Sequence, residues 1–204
     1  MPMAQAQDRF VSSIAAEDQL RADVYRLLAR VLTAAPAAVD LREFAALSGG
    51  PTAFGKAIAT FAEIAAATDA TTSATEYQDL FIGLGRGEVV PYGSYYLTGF
   101  LQEKPLARLR QDMARLGIGR REYVSEPEDH ISCVLDIMAG LIDGAYGAPC
   151  DLAGQLRFYK AHLGSWAGIF FRDLERSQSS ALYAAIGAVG RTFLDIEDKA
   201  FAMA

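Results

Sequence analysis

SEPEDHISCVLDIMAGLIDGAY, residues 125–146, is the stretch on which the fold turns. Its apolar residues Ile131, Val134, Leu135, Met138, Leu141 and Ile142 step at three and four. That spacing puts them on one face of an α-helix. The residues just before them read as a helix start. Pro127 suits a first turn, where its missing N–H costs nothing. Glu126 and Glu128 favour the positive end of the helix dipole, and Ser125 with Glu128 has capping-box spacing. A start signal accounts for these four residues but not for His130. The near side of His130 is apolar (Cys133, Val134, Ile137), so a partly buried histidine held by Asp129 or Asp136 is one reading. A functional imidazole is the other.

The same period runs outward in both directions. Towards the N-terminus, Leu20, Val24, Leu27, Leu28 and Val31 form a stripe that ends before Pro36. A short helix follows, stopped by Gly49 and Gly50. Phe54, Ile58, Phe61 and Ile64 mark a third helix, and Tyr77, Leu80 and Phe81 a fourth. Residues 83–99 differ: Gly83, Gly85, Gly87, Gly93, Gly99 and Pro91 break the pattern. That segment reads as a long Gly- and aromatic-rich loop, and such loops are often functional. KPLARLRQDMARLGI, from Lys104, returns to helix. Beyond residue 146, two helices meet near Gly164 and Ser165. A last one carries Leu182, Ile186, Val189 and Phe193 in register. Polar–apolar alternation is nowhere sustained. The fold class is therefore all-α, a single helical-bundle domain over residues 1–204, with residues 1–16 partly disordered.

A chain of 204 residues is long enough for a substantial core. Its net charge of −6 disfavours nucleic acid and anionic membrane surfaces and favours basic partners. The two cysteines, Cys133 and Cys150, have no metal-type spacing and read as reduced thiols of a cytoplasmic protein. MPMAQAQDRF has neither the basic nor the apolar region of an export signal. No apolar run reaches the roughly 18 residues that span a bilayer.

The motifs exclude several chemistries. Glu-x-His, with His162 as the only other histidine, is not the spacing of a helical metal site. No G-x-S-x-G elbow exists for a hydrolase. GLGRG, residues 83–87, lacks the phosphate-loop pattern and follows a helix rather than a strand. VPYGSYYLTGF, residues 90–100, is different. Its tyrosines suit either a peptide-binding wall or the closure of a core.

These stretches together resemble the cytoplasmic chaperones of the TorD/DmsD/NarJ type, the redox-enzyme maturation proteins. The resemblance runs from about residue 17 to about residue 197. VYRLLARVL is followed by a proline. EYQDLFIGLG carries Glu76, Tyr77, Leu80, Phe81 and Gly83, and PYGSYY carries Pro91, Ser94 and Tyr95. The most specific element is EPEDHI, matching E-P-x-D-H-[IL] at Glu126, Pro127, Asp129, His130 and Ile131. FYKAHLGSW, with His162 and Trp166, also fits. Asp136 departs from the pattern, because similar proteins often carry glutamate there.

The resemblance implies an all-helical chaperone, not an enzyme, and no residue pattern supports a nucleotide or cofactor of its own. It implies binding of the twin-arginine signal peptide of a molybdoenzyme, DMSO/TMAO reductase-like or related. The chaperone would hold the apo-form until molybdopterin is inserted and the client is exported. Leu80, Phe81, Pro91, Tyr92, Ser94, Tyr95, Glu126, Asp129 and His130 are the implied peptide-binding residues. On this reading SEPED starts a helix and presents Asp129 and His130 at a surface, where they serve binding more than folding. Two other readings stand beside it: an enzyme with His130 as general base, and a ligand-sensing helical regulator. The protein is expected as a monomer or a domain-swapped dimer.

Overall fold

The structure is a computed structural model and describes residues 14–83, 87–120 and 126–203. Among these residues there is no strand, only an isolated antiparallel bridge between Tyr92 and His130. The α-helices are α1 (Ala16–Thr33), α2 (Ala38–Ala45), α3 (Ala53–Ala67), α4 (Ala70–Tyr77), α5 (Gly93–Thr98), α6 (Lys104–Arg115), α7 (Ile131–Asp143), α8 (Leu152–His162), α9 (Ala167–Glu175) and α10 (Ala181–Ala202). A π-helical turn, Gln78–Ile82, extends α4. The expectation for residues 1–16 falls largely outside the described residues.

Local chemistry sets many of the boundaries. Four helices are started by a side-chain oxygen accepting an orphan N–H. Thr52 accepts from Gly55 at 3.0 Å, Asp69 from Thr72 at 2.8 Å, Asp151 from Gly154 at 2.7 Å and Ser180 from Tyr183 at 2.9 Å. Gly144, at φ 80°, ends α7 in the left-handed conformation that glycine adopts without penalty.

Helix α7 lies at the centre of the bundle. Ile131, Val134, Leu135, Met138, Leu141 and Ile142 are all buried, as their spacing predicts. It packs against α1 and α8, while α10 packs against α3 and α9. The approach of α9 to α10 is close: a Cβ on Gly187 would lie 2.4 Å from the Glu175 backbone nitrogen.

Helix α1 buries a different stripe from the one its aliphatic residues suggest. Ala22, Tyr25, Leu28, Ala29, Val31 and Leu32 face inward, and Leu20 is 65% exposed. The helix is turned by a polar anchor. Glu197 of α10, itself buried, accepts both Arg21 Nε and Nη2 at 2.9 Å and the Tyr25 hydroxyl at 2.8 Å. A buried carboxylate needs such partners, so Tyr25 and Arg21 go to it and Leu20 is left outside.

Two further expectations are corrected. Residues 83–99 are not loop throughout, because Gly93–Thr98 forms α5. SEPED does not start α7 either. The helix begins at Ile131 with His130 as its N-cap. Pro127 precedes the helix by a turn and accepts the His130 N–H at 3.0 Å. Glu128 turns to Arg110 of α6, with Nε at 2.9 Å from Oε2, instead of folding back as a capping box. Ser125 lies outside the described residues.

Candidate functional site

PYGS and EPEDHI lie side by side and antiparallel. Gly93 N–H donates to the Asp129 carbonyl at 2.9 Å, and Ile131 N–H to the Pro91 carbonyl at 2.8 Å. The Asp129 carboxylate then caps α5 from across the chain, its Oδ2 accepting the Ser94 N–H at 2.8 Å. This long-range cap is why so short a helix forms beside Pro91 and two glycines. Gly93 must be small, since a Cβ there would sit 3.1 Å from the Trp166 ring. Trp166 is in turn fixed by its Nε1–H, which donates to the His162 carbonyl at 2.7 Å.

The knot is mostly interior. Leu80, Pro91, Ser94, Asp129 and His130 are buried, Phe81, Tyr92 and Tyr95 are partly buried, and Glu126 is exposed. Asp129 and His130 therefore do not stand at a surface. His130 is 5% exposed and is held by Ser132 rather than by a carboxylate. Ser132 Oγ lies 2.7 Å from His130 Nδ1, and Ser132 N–H points at the same nitrogen at 3.3 Å. Nδ1 thus accepts, which places the ring proton on Nε2. Burial lowers the imidazole from its ordinary 6.5 to about 4, while the charges of Glu126 and Asp129 pull the other way. Asp129 Oδ1 is buried and has no hydrogen-bond partner among the described residues.

Glu126 and Glu128, two residues apart, are separated by the fold. Burial pushes the Glu128 carboxyl up, but Arg110 and the more distant Arg120 outweigh it and hold it below its ordinary range. Glu126 stays outside and accepts the Tyr92 hydroxyl. Burial, then Glu126, raises the Tyr92 phenol. The Tyr92 ring meets His130 edge-on at 5.2 Å. Phe81 lies away from this knot, its ring tilted against Tyr77 at 5.0 Å and edge-on to Tyr183 at 5.2 Å.

Next to the knot is an open cleft of about 320 Å³, lined by Glu88, Val89, Val90, Tyr95, Tyr96, Asp173 and Arg176. Of the nine peptide-binding residues implied by resemblance Tyr95 lines it, and so does Tyr96, another tyrosine of the stretch read as a binding wall or core closure. Tyr96 donates its hydroxyl to Asp173 at 2.9 Å. Glu88 is held below its ordinary range, chiefly by Ser179. Sequence reasoning missed Glu88 and Asp173, because isolated acids in solvated positions carry no spacing signal.

The chemistry argues against a general base. His130 Nδ1 is occupied by Ser132, and a pKa of about 4 is far from the near-neutral value that such a role favours. Among the described residues no three His, Cys, Asp or Glu side chains converge as metal ligands. No helix of the described residues is long and apolar enough to cross a membrane.

A model of the nitrate reductase delta subunit family matches residues 48–172. The chain belongs to this family. The matched span includes both halves of the knot, and the membership bears out the resemblance drawn from EPEDHI and PYGSYY. Curated relatives include the chaperone protein TorD of Vibrio cholerae serotype O1, 30% identical over 133 residues, covering 62% of this chain and 60% of that protein. TorD of Aliivibrio fischeri is 28% identical over 132 residues, covering 61% of each. The similarity thus spans about 60% of the length of these curated relatives. A crystal structure assigned to a redox enzyme maturation protein from Archaeoglobus fulgidus superposes with a TM-score of 0.61 at 24% identity, covering 86% of this chain and 94% of that one. That match bears out the all-α family fold.

Proposed function

We infer that this family member is a TorD-like, non-enzymatic chaperone of redox-enzyme maturation. Its client is a molybdenum-containing oxidoreductase, and it binds that client's twin-arginine leader in the cytoplasm. It holds the apo-form until molybdopterin insertion and export. The observation that carries this reading is the family match across both halves of the knot.

The cleft adds chemical support. Glu88 and Asp173 offer carboxylate oxygens, and a guanidinium pairs with carboxylates in a bidentate fashion. Tyr95 and Tyr96 supply apolar walls with polar tips. Arg176 offsets one of the two negative charges, which leaves the charged side chains of the cleft with a net charge of −1. On this reading Phe81, Tyr92, Tyr95 and Glu126, which are not fully buried, are the residues implicated by resemblance that would meet a leader. Leu80, Pro91, Ser94, Asp129 and His130 act from behind, by shaping the segment that carries the tyrosines.

Calorimetric titration with a panel of molybdoenzyme leaders tests this. Binding is expected, and it should weaken when the arginine pair becomes a lysine pair, since lysine is a point charge without the planar fork. No heat and no competition from any leader would remove the assignment.

A further inference from the structure

The end of α5 and the turn that leads to α6 expose three large apolar side chains within five residues. Leu97 is 42% exposed, Phe100 69% and Leu101 52%. Single exposed apolar residues are ordinary, but a clustered group marks an interaction site. The backbone holds this group outward. Gly99 has φ 80° and Gln102 has φ 59°, so left-handed residues bracket Phe100 and Leu101. For glutamine that conformation is strained, and strain of this kind gathers where the chain carries function. It is fixed by side chains of α5. Gln102 N–H donates to Ser94 Oγ at 3.1 Å, Phe100 N–H donates to Thr98 Oγ1 at 3.2 Å, and the Thr98 hydroxyl donates to the Ser94 carbonyl at 2.8 Å.

Ser94 joins this turn to the buried motif. Its N–H is capped by Asp129 and its hydroxyl anchors Gln102. On the other side, Tyr95 and Tyr96 line the acidic cleft. Phe100 lies four positions beyond Tyr96, so the cleft wall and the apolar turn lie within roughly 14 Å of each other along the backbone. A peptide with a basic pair followed by an apolar run offers each of the two surfaces its complement.

We propose that the exposed turn Leu97–Leu101 docks the apolar stretch of the client leader, and that Ser94 and Asp129 are positioning residues that set this turn beside the cleft. The proposal rests on the leader-binding reading above. It gives the buried EPEDHI residues a route to affinity without any contact with the ligand.

The probe is a fluorescent synthetic peptide with an arginine pair followed by a leucine- and alanine-rich run, titrated against the full chain by anisotropy. Phe100→Ser changes an exposed side chain and should leave the urea midpoint in place. It should weaken binding roughly tenfold, the loss produced by about 1.4 kcal/mol. Ser94→Ala should weaken binding in the wild-type background and add nothing in the Phe100→Ser background, since it acts through the turn. A purely structural Ser94 would weaken both backgrounds alike, and that overturns the positioning role. If Ser94→Ala does not fold, Phe100→Ser with Leu101→Ser carries the test alone. Unchanged affinity for Phe100→Ser, with a wild type that binds, overturns the docking surface and leaves the chaperone reading intact. The same holds if Phe100→Ser only dissolves a dimer while affinity stays the same, because the turn is then a self-association surface. A wild type that binds no leader overturns both.

Discussion

His130 should make the protein acid-sensitive in a pH window that one substitution can remove. The imidazole is buried, and burial lowers it from 6.5 to about 4. In the unfolded chain it takes up a proton as pH falls below 6.5. In the folded protein it resists until about 4. Between these values the unfolded state binds more protons, so stability falls as pH falls. Above 6.5 both states are neutral and the residue contributes no slope. At about 1.4 kcal/mol per pH unit, the whole window is worth about 3 kcal/mol, of which about 2 kcal/mol is gone by pH 5.

The variant that isolates this is His130→Asn. His130 is the N-cap of α7, and its Nδ1 faces the Ser132 N–H. Asparagine is a favoured N-cap and offers an acceptor that does not titrate. Urea unfolding at pH 7 and pH 5 gives four stabilities. Wild type should lose about 2 kcal/mol more than the variant between the two pH values. Taking the difference cancels His162, which burial also lowers against the pull of Asp112, and cancels the carboxylates. Nuclear magnetic resonance offers a direct check, since the chain has only two imidazoles to assign. Equal slopes for wild type and variant, or a His130 titration midpoint near 6.5, would refute the claim that the fold holds this ring neutral.

Two predictions concern packing. Leu135 is fully buried at the centre of α7, so Leu135→Ala should cost roughly 2–5 kcal/mol by urea denaturation. Gly187→Ala should cost about 1–3 kcal/mol and lower the melting temperature, because its Cβ would meet the α9 backbone at Glu175 and neither helix can yield without losing packing.

The helices with long aliphatic stripes were legible in the sequence. In α7 and α10 every apolar residue picked out by spacing is buried, because packing alone decides which face turns inward. Where polar contacts decide, the reading went astray. Leu20 was placed inside because aliphatic residues were counted, and Tyr25 with Arg21 was not seen to seek a buried acid 172 residues further on. α5 reads as loop from its sequence because its cap comes from Asp129, 35 positions away. EPED was read as a helix start on local preferences that Pro127 and two acids do satisfy. The Arg110 pair and the Tyr92–His130 bridge overrode them, and neither partner is visible from the motif. The family pattern did not reveal that most of the residues it points to face inward.

That inward placement changes what the motif can do. Asp129 and His130 are both costly to bury: one keeps a carboxylate oxygen without a partner among the described residues, and the other loses its charge. Residues chosen for stability alone would avoid such costs, and departures of this kind collect where function constrains the chain. Yet neither side chain can meet a docked peptide in this conformation. The two facts fit together if the motif acts by geometry. Asp129 fixes the start of α5, His130 fixes the start of α7, and the bridge between Tyr92 and His130 locks the two starts to each other. Of the two motif glutamates, Glu128 is already neutralised by Arg110, so a leader arginine that reaches the motif would find only Glu126, on the outside and beside the Tyr92 hydroxyl. A substitution that loosens Asp129 should therefore lower affinity through the placement of Tyr95, Tyr96 and the Phe100 turn, and a substitution at Glu126 through charge alone. The first loss should persist at high salt. The second should shrink as salt screens an exposed pair.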